Sequence, residues 1–422
     1  MSVEAAARTV LSGLDGIRSE VEELYRDLHA NPELGFQEHR TAKKAAEALR
    51  SCGYAVTEGI GGTGVTGVLT RGTGPTVLLR ADMDALPVRE ATGLPYASAA
   101  TARDADGHDR PVMHACGHDV HVACMTGFAR LMAAAPRDTW RGTLIVLFQP
   151  SEENGDGARA MLDDGLTRKV PRPDVVLAQH VLPYPAGYVG TRPGSFLSAA
   201  DNLRVTLHGR GAHGSAPQTG VDPVVMAAMC VVRLQTVVSR ETGATTSAVV
   251  TVGSIQAGTG PNIIPDHAVL QLNVRTYDED VRRRVLAAIE RIVRAEAQAS
   301  GAPREPEIEH LRSFPPTVND EGATETVTRA FAGHFGDALH TVELQTASED
   351  LSEIPDAFGV PYTYWGIGGT PPETYAEAAR RGTLGEDVPS NHSPRFAPVP
   401  QPTLDTGVRA LTVGALAWLA AE

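Results

Sequence analysis

The sequence predicts an α/β fold: a mainly parallel-sheet domain interrupted by an inserted α+β domain of ferredoxin-like order. Three observations predict it. Short apolar strand-like runs alternate with helical patterns in the first half of the chain. The middle switches to the order β-α-β-β-α-β, which can close a core by itself. The 422 residues are too many for one ordinary core.

Residues 3–53 are helical in pattern, with Leu24, Leu28, Ala45, Ala48 and Leu49 at helical spacing around the turn Asn31-Pro32-Glu33. Strand-like runs follow at 54–57, 65–70 and 76–80, then a helix over 120–135 and a buried strand over 143–149. Beyond the loop SEENGDG come a helix over 158–166 and a short strand over 175–179. The middle reads as strand 203–208, amphipathic helix 222–241, strands 248–255 and 268–275, an Arg- and Glu-rich helix 278–300 and strand 306–311. The remainder carries a helix over 324–335, a strand over 361–366 and a closing helix over 404–420, and is expected to rejoin the first domain. The boundaries predicted are 1–195 and 312–422 for the main domain and 196–311 for the insertion. No internal repeat or low-complexity segment is visible.

The formal net charge of -14, from 37 Lys plus Arg against 51 Asp plus Glu, argues against a nucleic-acid or anionic-membrane partner. The most apolar run, 224–232, is broken by Arg233 and falls short of the ~20 residues a membrane helix needs, so no span is expected. The N-terminus, with Glu4 and no basic stretch before an apolar one, does not read as a signal peptide. Four cysteines (Cys52, Cys116, Cys124, Cys230) make no disulfide framework and predict a reducing, cytoplasmic compartment, where a thiol is available to a metal.

Six stretches concentrate metal-competent or acid–base residues: the RADMDALP run with Asp82 and Asp84, HACGHDVH with Cys116, His118, Asp119 and His121, SEE with Glu152 and Glu153, QH with His180, GAHG with His213, and NHSP with His392. Three directly follow predicted strands, and sites in open α/β sheets lie at the carboxyl ends of strands. In Cys116-Gly-His118 the glycine lets thiolate and imidazole turn to one ion, a pair that suits zinc among first-row metals. Alone, that motif is as readily a buried Cys beside surface histidines. Asp119 and His121 can orient neighbouring imidazoles, although local packing at a helix start explains His121 equally well. Adjacent Glu152 and Glu153 repel in a dry site unless a divalent cation offsets the charge. Alone they read as a solvated acidic turn. His180 and His392, each taken singly, are ordinary structural histidines, and His213 sits in a glycine-bracketed, exposed loop. Only the combination supplies ligands, a base and an electrophile together. Gly59-x-Gly61-x-x-Gly64 fits a dinucleotide fingerprint but precedes a strand-like run instead of a helix, so it is read as a turn between strands.

Taken in order, RDLHANPELGFQEHRTA, RADMDALPV, MHACGHDVH, FQPSEENGDGA, GRGAHGSAP, GPNIIPD and SNHSPRF resemble the amidohydrolase branch of the aminoacylase/carboxypeptidase G metallopeptidase superfamily, which includes hippurate hydrolases, indole-3-acetyl-amino acid hydrolases and N-acyl-amino acid aminoacylases. The likeness covers nearly the whole chain. It implies a catalytic domain with an inserted lid, and a binuclear site with ligands Cys116, His118, Glu153, His180 and His392. It further implies Glu152 as the catalytic base, Asp82 as an outer-shell acid, His213 at the substrate carbonyl, and Asn262 and Arg275 at the substrate. Two divalent ions are expected, zinc first, with manganese, nickel or cobalt as alternatives. The implied reaction converts an N-acyl amino acid and water to a carboxylic acid and an amino acid, in a homodimer or higher oligomer. A dipeptidase or carboxypeptidase and a non-catalytic metal-binding module are the alternatives. The loops around His108 and ahead of His392 look long for the family and are expected to reshape the acyl pocket.

Overall fold

The computed structural model describes residues 1–420 and divides the chain into two compact units. The first comprises Met1–Gly194, Asn319–Glu343 and the chain from Asp350 onward; the second comprises Ser195–Val318 and Leu344–Glu349. The second unit thus extends past the predicted boundary at 311 and takes in a short segment beyond 340.

The first unit is built on an eight-stranded sheet in the order Ala55–Ile60, Gly64–Arg71, Gly142–Gln149, Thr76–Asp82, Val175–Pro185, Tyr362–Thr370, Val189–Thr191, Leu339–Thr341. The central four strands are mutually parallel, and antiparallel pairs flank them. Leu144–Phe148 are all fully buried, which is why this strand reads as a continuous apolar run; each such side chain contributes roughly 2 kcal/mol by leaving water. The helix His118–Ala134 is buried around most of its surface, from Val120 to Met132, and packs on Leu14–Ala30 and Pro400–Leu419. Two stretches read as loops hold structure. The segment before the Cys motif contains a hairpin, Thr101–Arg103 with Asp109–Pro111, and the segment before His392 contains the helix Pro372–Arg381.

The second unit is a four-stranded antiparallel sheet in the order Ala248–Ala257, His267–Thr276, Ala199–His208, Glu307–Phe314. Numbered along the chain this is 2-3-1-4, the ferredoxin-like arrangement that the sequence pattern predicts. Helices Pro223–Thr236 and Glu279–Ala299 supply its core: Met226, Ala227, Cys230 and Leu234 from one, Val285, Ile289 and Val293 from the other. Both start at Asp side chains, Asp222 and Asp278, which accept N–H bonds from the first turn.

The first of these helices bears on the expectation that no segment spans a membrane. A π-helical turn continues it to Glu241, and the resulting 19 residues are long and apolar enough to cross a membrane by length and composition. Arg233 does not end the helix, which runs on well past the apolar run 224–232. One third of the segment is buried within the protein, as in an amphipathic helix packed on its own sheet.

Candidate metal centre

The parallel register sets the site. Asp82 pairs with Gln149 across one strand boundary, and Arg80 pairs with Ala178 across the other, so Asp82, Gln149 and His180 share one level of the sheet. The chain then leaves Gln149 through Pro150 and Ser151 into Glu152-Glu153. Gly117 stands between Cys116 and His118 with φ 84°, a left-handed conformation that glycine adopts without strain, and a Cβ there would lie 2.4 Å from Val181 Cγ1. The glycine therefore both turns the chain and lets it approach the sheet, and His118 opens the helix.

The side chains converge as follows. Ligand atoms of Cys116, Glu153 and His392 lie within 4.8 Å of one another, and so do those of His118, Glu152 and Glu153; the two groups share Glu153. Cys116 Sγ is 3.5 Å from His180 Nε2, and His392 Nε2 is 3.4 Å from Glu153 Oε2. His118 Nε2 lies 3.7–3.9 Å from Asp82, Glu152 and Glu153. Both its ring nitrogens are buried without a hydrogen-bond partner among the described residues. His180 donates its Nδ1–H to Val181 O at 2.8 Å, leaving Nε2 with a lone pair toward Cys116. This donor set of one sulfur, three imidazoles and a carboxylate fits a borderline-soft divalent ion.

His121 differs from the other histidines. Its Nδ1 bonds Asp82 Oδ1 and its Nε2 accepts the Val181 N–H at 2.9 Å, so both nitrogens are used. Asp82 is also held by Arg80 Nη1 at 2.5 Å. The carboxylate on the other side of His118 is Asp84, whose Oδ1 is 3.3 Å from Nδ1 and whose Oδ2 accepts the Glu153 N–H at 3.0 Å. The predicted site residues do not include Asp84, and nothing in the spacing of DMD distinguishes it from Asp82. Asn391 also emerges only here: its Nδ2 donates to the carbonyls of Cys116 and Val181 at 3.0 and 3.1 Å and ties the His392 turn to the Cys loop. Beneath the site, Arg80 and Gln149 both reach Asp350 Oδ1, and all three side chains are buried.

The charges call for a cation. Burial opposes protonation of His118, but Asp82, Asp84 and Glu153 raise its pKa to about 10. Burial, reinforced by Glu153, Glu152 and Asp82, pushes the Cys116 thiol well above its ordinary value. Burial also raises Asp84. Burial opposes ionisation of Glu153, yet its bond to His392 and the nearby His118 hold it below the usual carboxylate range. A divalent ion would relieve this surplus of buried carboxylate and favour the thiolate.

In the second unit, His213 pairs with Ile263, and its Nδ1 accepts from the Ser215 N–H at 3.1 Å, which leaves the proton of the neutral ring on Nε2. Gly214 N donates to Asn262 O at 2.8 Å, so Asn262 adjoins His213. Arg275 lies elsewhere. It is at the far end of the strand His267–Thr276, eight residues and roughly 26 Å of extended chain from His267. There it donates to Asn273 Oδ1 and Ser348 Oγ.

A parallel sheet whose strand ends gather sulfur, nitrogen and oxygen donors beside a glutamate carries the site of a metallohydrolase. The chain belongs to the peptidase family M20/M25/M40, whose model matches residues 78–380, all the predicted site residues except His392. It is 38% identical to a hippurate hydrolase of Campylobacter jejuni over 76% of this chain and 80% of that one. It is 37% identical to an N-acetyl-L-cysteine deacetylase of Bacillus subtilis over 79% and 78%. The crystal structure of Bacillus subtilis YXEP protein, a dinuclear metal-binding peptidase of the M20 family, matches with a TM-score of 0.75 and 28% identity, over 95% of this chain and 98% of that one.

Proposed function

We propose that the protein hydrolyses N-acyl amino acids at a two-ion site held by Cys116, His118, Glu153, His180 and His392. The observation that carries this reading is the pair of donor groups sharing Glu153, Cys116–Glu153–His392 and His118–Glu152–Glu153, with His180 Nε2 3.5 Å from Cys116 Sγ; we assign Glu152, the second carboxylate of the latter group, to proton transfer. Hippurate and N-acetyl-L-cysteine, the substrates in the names of the two relatives, are both N-acyl amino acids. Zinc fits the donors best, and manganese, nickel and cobalt are the alternatives.

Bound divalent ions would lower the pKa of an attacking water and polarise the amide carbonyl. Glu152, 5% exposed and with Oε2 3.9 Å from His118 Nε2, takes the proton of that water and returns it to the leaving amine. Asp84 orients the His118 ring, and His121 fixes the Asp82 carboxylate behind it. We assign His213, through its Nε2–H, to the substrate oxyanion, Asn262 to the carbonyl side and Arg275 to the carboxylate.

Since His213 and Asn262 lie at the opposite end of one strand from Arg275, all three can serve one substrate only if the first two come from a second copy. A homodimer is therefore part of this reading. The second unit has a surface suited to it: Val225, Met229 and Val232 form one exposed helix face, 49–66% exposed, and Ala248–Ala257 is an edge strand with Val249 and Ile255 outward. The four cysteines are unpaired, which suits a reducing cytoplasm.

The test is a panel of N-acyl amino acids and dipeptides, assayed after chelation and after return of zinc, manganese, nickel or cobalt. N-acyl substrates should turn over at least about tenfold faster than dipeptides, a discrimination of roughly 1.4 kcal/mol, and only with metal present. The reverse preference would replace this reading with a dipeptidase or carboxypeptidase.

A further inference from the structure

Two sequence features play no part in the chemistry above: the PELGFQE segment before the helix His39–Ser51, and the glycine turn 59–64. Both converge on the loop that carries Glu152 and Glu153. Glu38 is fully buried, and its carboxylate has two donors. Thr63 Oγ1, from the glycine turn, donates to Oε2 at 2.6 Å, and the Ser151 N–H donates to Oε1 at 2.8 Å.

Ser151 is fully buried and has φ 49°, a left-handed value unusual for a residue with a side chain. That turn takes the chain off the strand Gly142–Gln149 and ends the alternation that would send Glu152 and Glu153 to opposite faces. The same loop is confined from two more sides. A Cβ on Gly35 would lie 2.6 Å from Ser151 Oγ and 2.5 Å from Asn154 Nδ2. A Cβ on Gly61 would lie 2.5 Å from Met161 N in the helix Gly157–Asp163, which follows the loop, and Gly61 N also donates to Asp164. Gly61 is thus the glycine at which this turn docks against a helix backbone, and the turn presents Thr63 to Glu38.

We infer that Glu38 is a positioning residue for the hydrolytic site: it holds the left-handed Ser151 backbone and thereby aims Glu152 and Glu153 at one centre. It touches neither substrate nor metal. The inference rests on the hydrolase reading for its kinetic consequence, but its effect on metal affinity is independent of any substrate.

The experiment compares Glu38→Ala with Glu38→Gln in the full-length protein. The amide keeps an oxygen for the Ser151 N–H; alanine leaves that buried donor unmet. Two quantities are read: kcat and KM on an N-acyl amino acid, and affinity for cobalt or zinc by competition with a chromophoric chelator. Glu38→Ala should lower kcat at saturating metal at least about tenfold, leave KM within about twofold, and weaken metal binding roughly tenfold. Glu38→Gln should stay within about threefold of wild type on all counts. Wild-type kcat and metal affinity in Glu38→Ala would overturn the proposal, as would Glu38→Gln being as damaged as Glu38→Ala. If Glu38→Ala does not fold, Gly35→Ala, which crowds Ser151 without touching the carboxylate, should reproduce the losses; unchanged kcat and affinity there would overturn the proposal. If the wild type hydrolyses no N-acyl amino acid, the functional reading falls, and metal affinity alone decides the role of Glu38.

Discussion

The two units present their candidate site histidines in opposite ways. In the first, His118 and His121 are buried together with Asp82 and Asp84, and His121 and both carboxylates are held by groups from other segments. In the second, His213 is exposed, and the partners of its ring lie two residues away at Ser215. A buried cluster of like charges is expensive unless an ion completes it, so the first unit is built around something it must bind tightly. An exposed imidazole with local ties is free to meet a ligand that comes and goes. The contrast predicts that changes in the first unit alter metal and chemistry, whereas changes in the second alter the handling of substrate.

The largest effect that would break this contrast lies within the glutamate pair. Glu152→Gln should keep its metal by elemental analysis and lose kcat by about 10²–10⁴-fold, the contribution of a general base. Cys116→Ala should lose metal outright. A Glu152→Gln enzyme with near-normal turnover would remove the base assignment, and full occupancy in Cys116→Ala would show that the thiol is not a ligand.

The second unit offers a subtler test. Neither Glu152→Gln nor His213→Ala should be active alone. If His213 serves its partner's site, random reassembly of an equimolar mixture makes half the dimers hybrid, each with one intact site, and about one quarter of wild-type activity returns. No recovery would place His213 in its own subunit's site and would undo the argument from the length of the strand His267–Thr276.

The parts legible in the sequence are those whose local chemistry already requires the structure. The β-α-β-β-α-β order matches the ferredoxin-like pattern, whose sheet is found here, and Gly117 announced a turn between two ligand-type residues. Arg80 carried a signal that could have been used: an arginine inside the apolar run TVLLRAD must have buried partners, which prove to be Asp82, Gln149 and Asp350. Other contributions were not legible. Asp82 and Asp84 reach opposite sides of His118 and take different partners, and that depends on where the strand ends. Glu38 lies in a polar stretch that reads as surface, and its burial follows from docking against Thr63 and Ser151, distant in sequence. His392 has φ 71°, and a polar turn with no glycine at that position gave no hint of it. The hairpin around His108 is too short and too polar to show a strand period.

The smallest predicted effect concerns stability and returns to the first unit. His29 is fully buried between Asp119, which receives its Nδ1 at 2.7 Å, and Glu90, which receives its Nε2 at 3.1 Å. Burial favours the neutral ring, but the bonds to Asp119 and Glu90 outweigh it and raise the pKa from 6.5 to about 10. Asp119 and Glu90 are both held below their ordinary values despite burial, chiefly by His114 and His29 for Asp119 and by His29 for Glu90, and they stay charged across this range. The folded protein therefore keeps a proton that the unfolded chain releases near pH 6.5. The stability this confers is complete below pH 6.5 and is lost as pH rises through about 10. With metal removed by chelator, His29→Gln should unfold more easily than wild type by about 3 kcal/mol at pH 6, and the gap should narrow steadily toward pH 10. A gap of constant size across that range would mean that His29 acts by packing alone. It would then contribute no ionic tie at the start of the helix that carries His118.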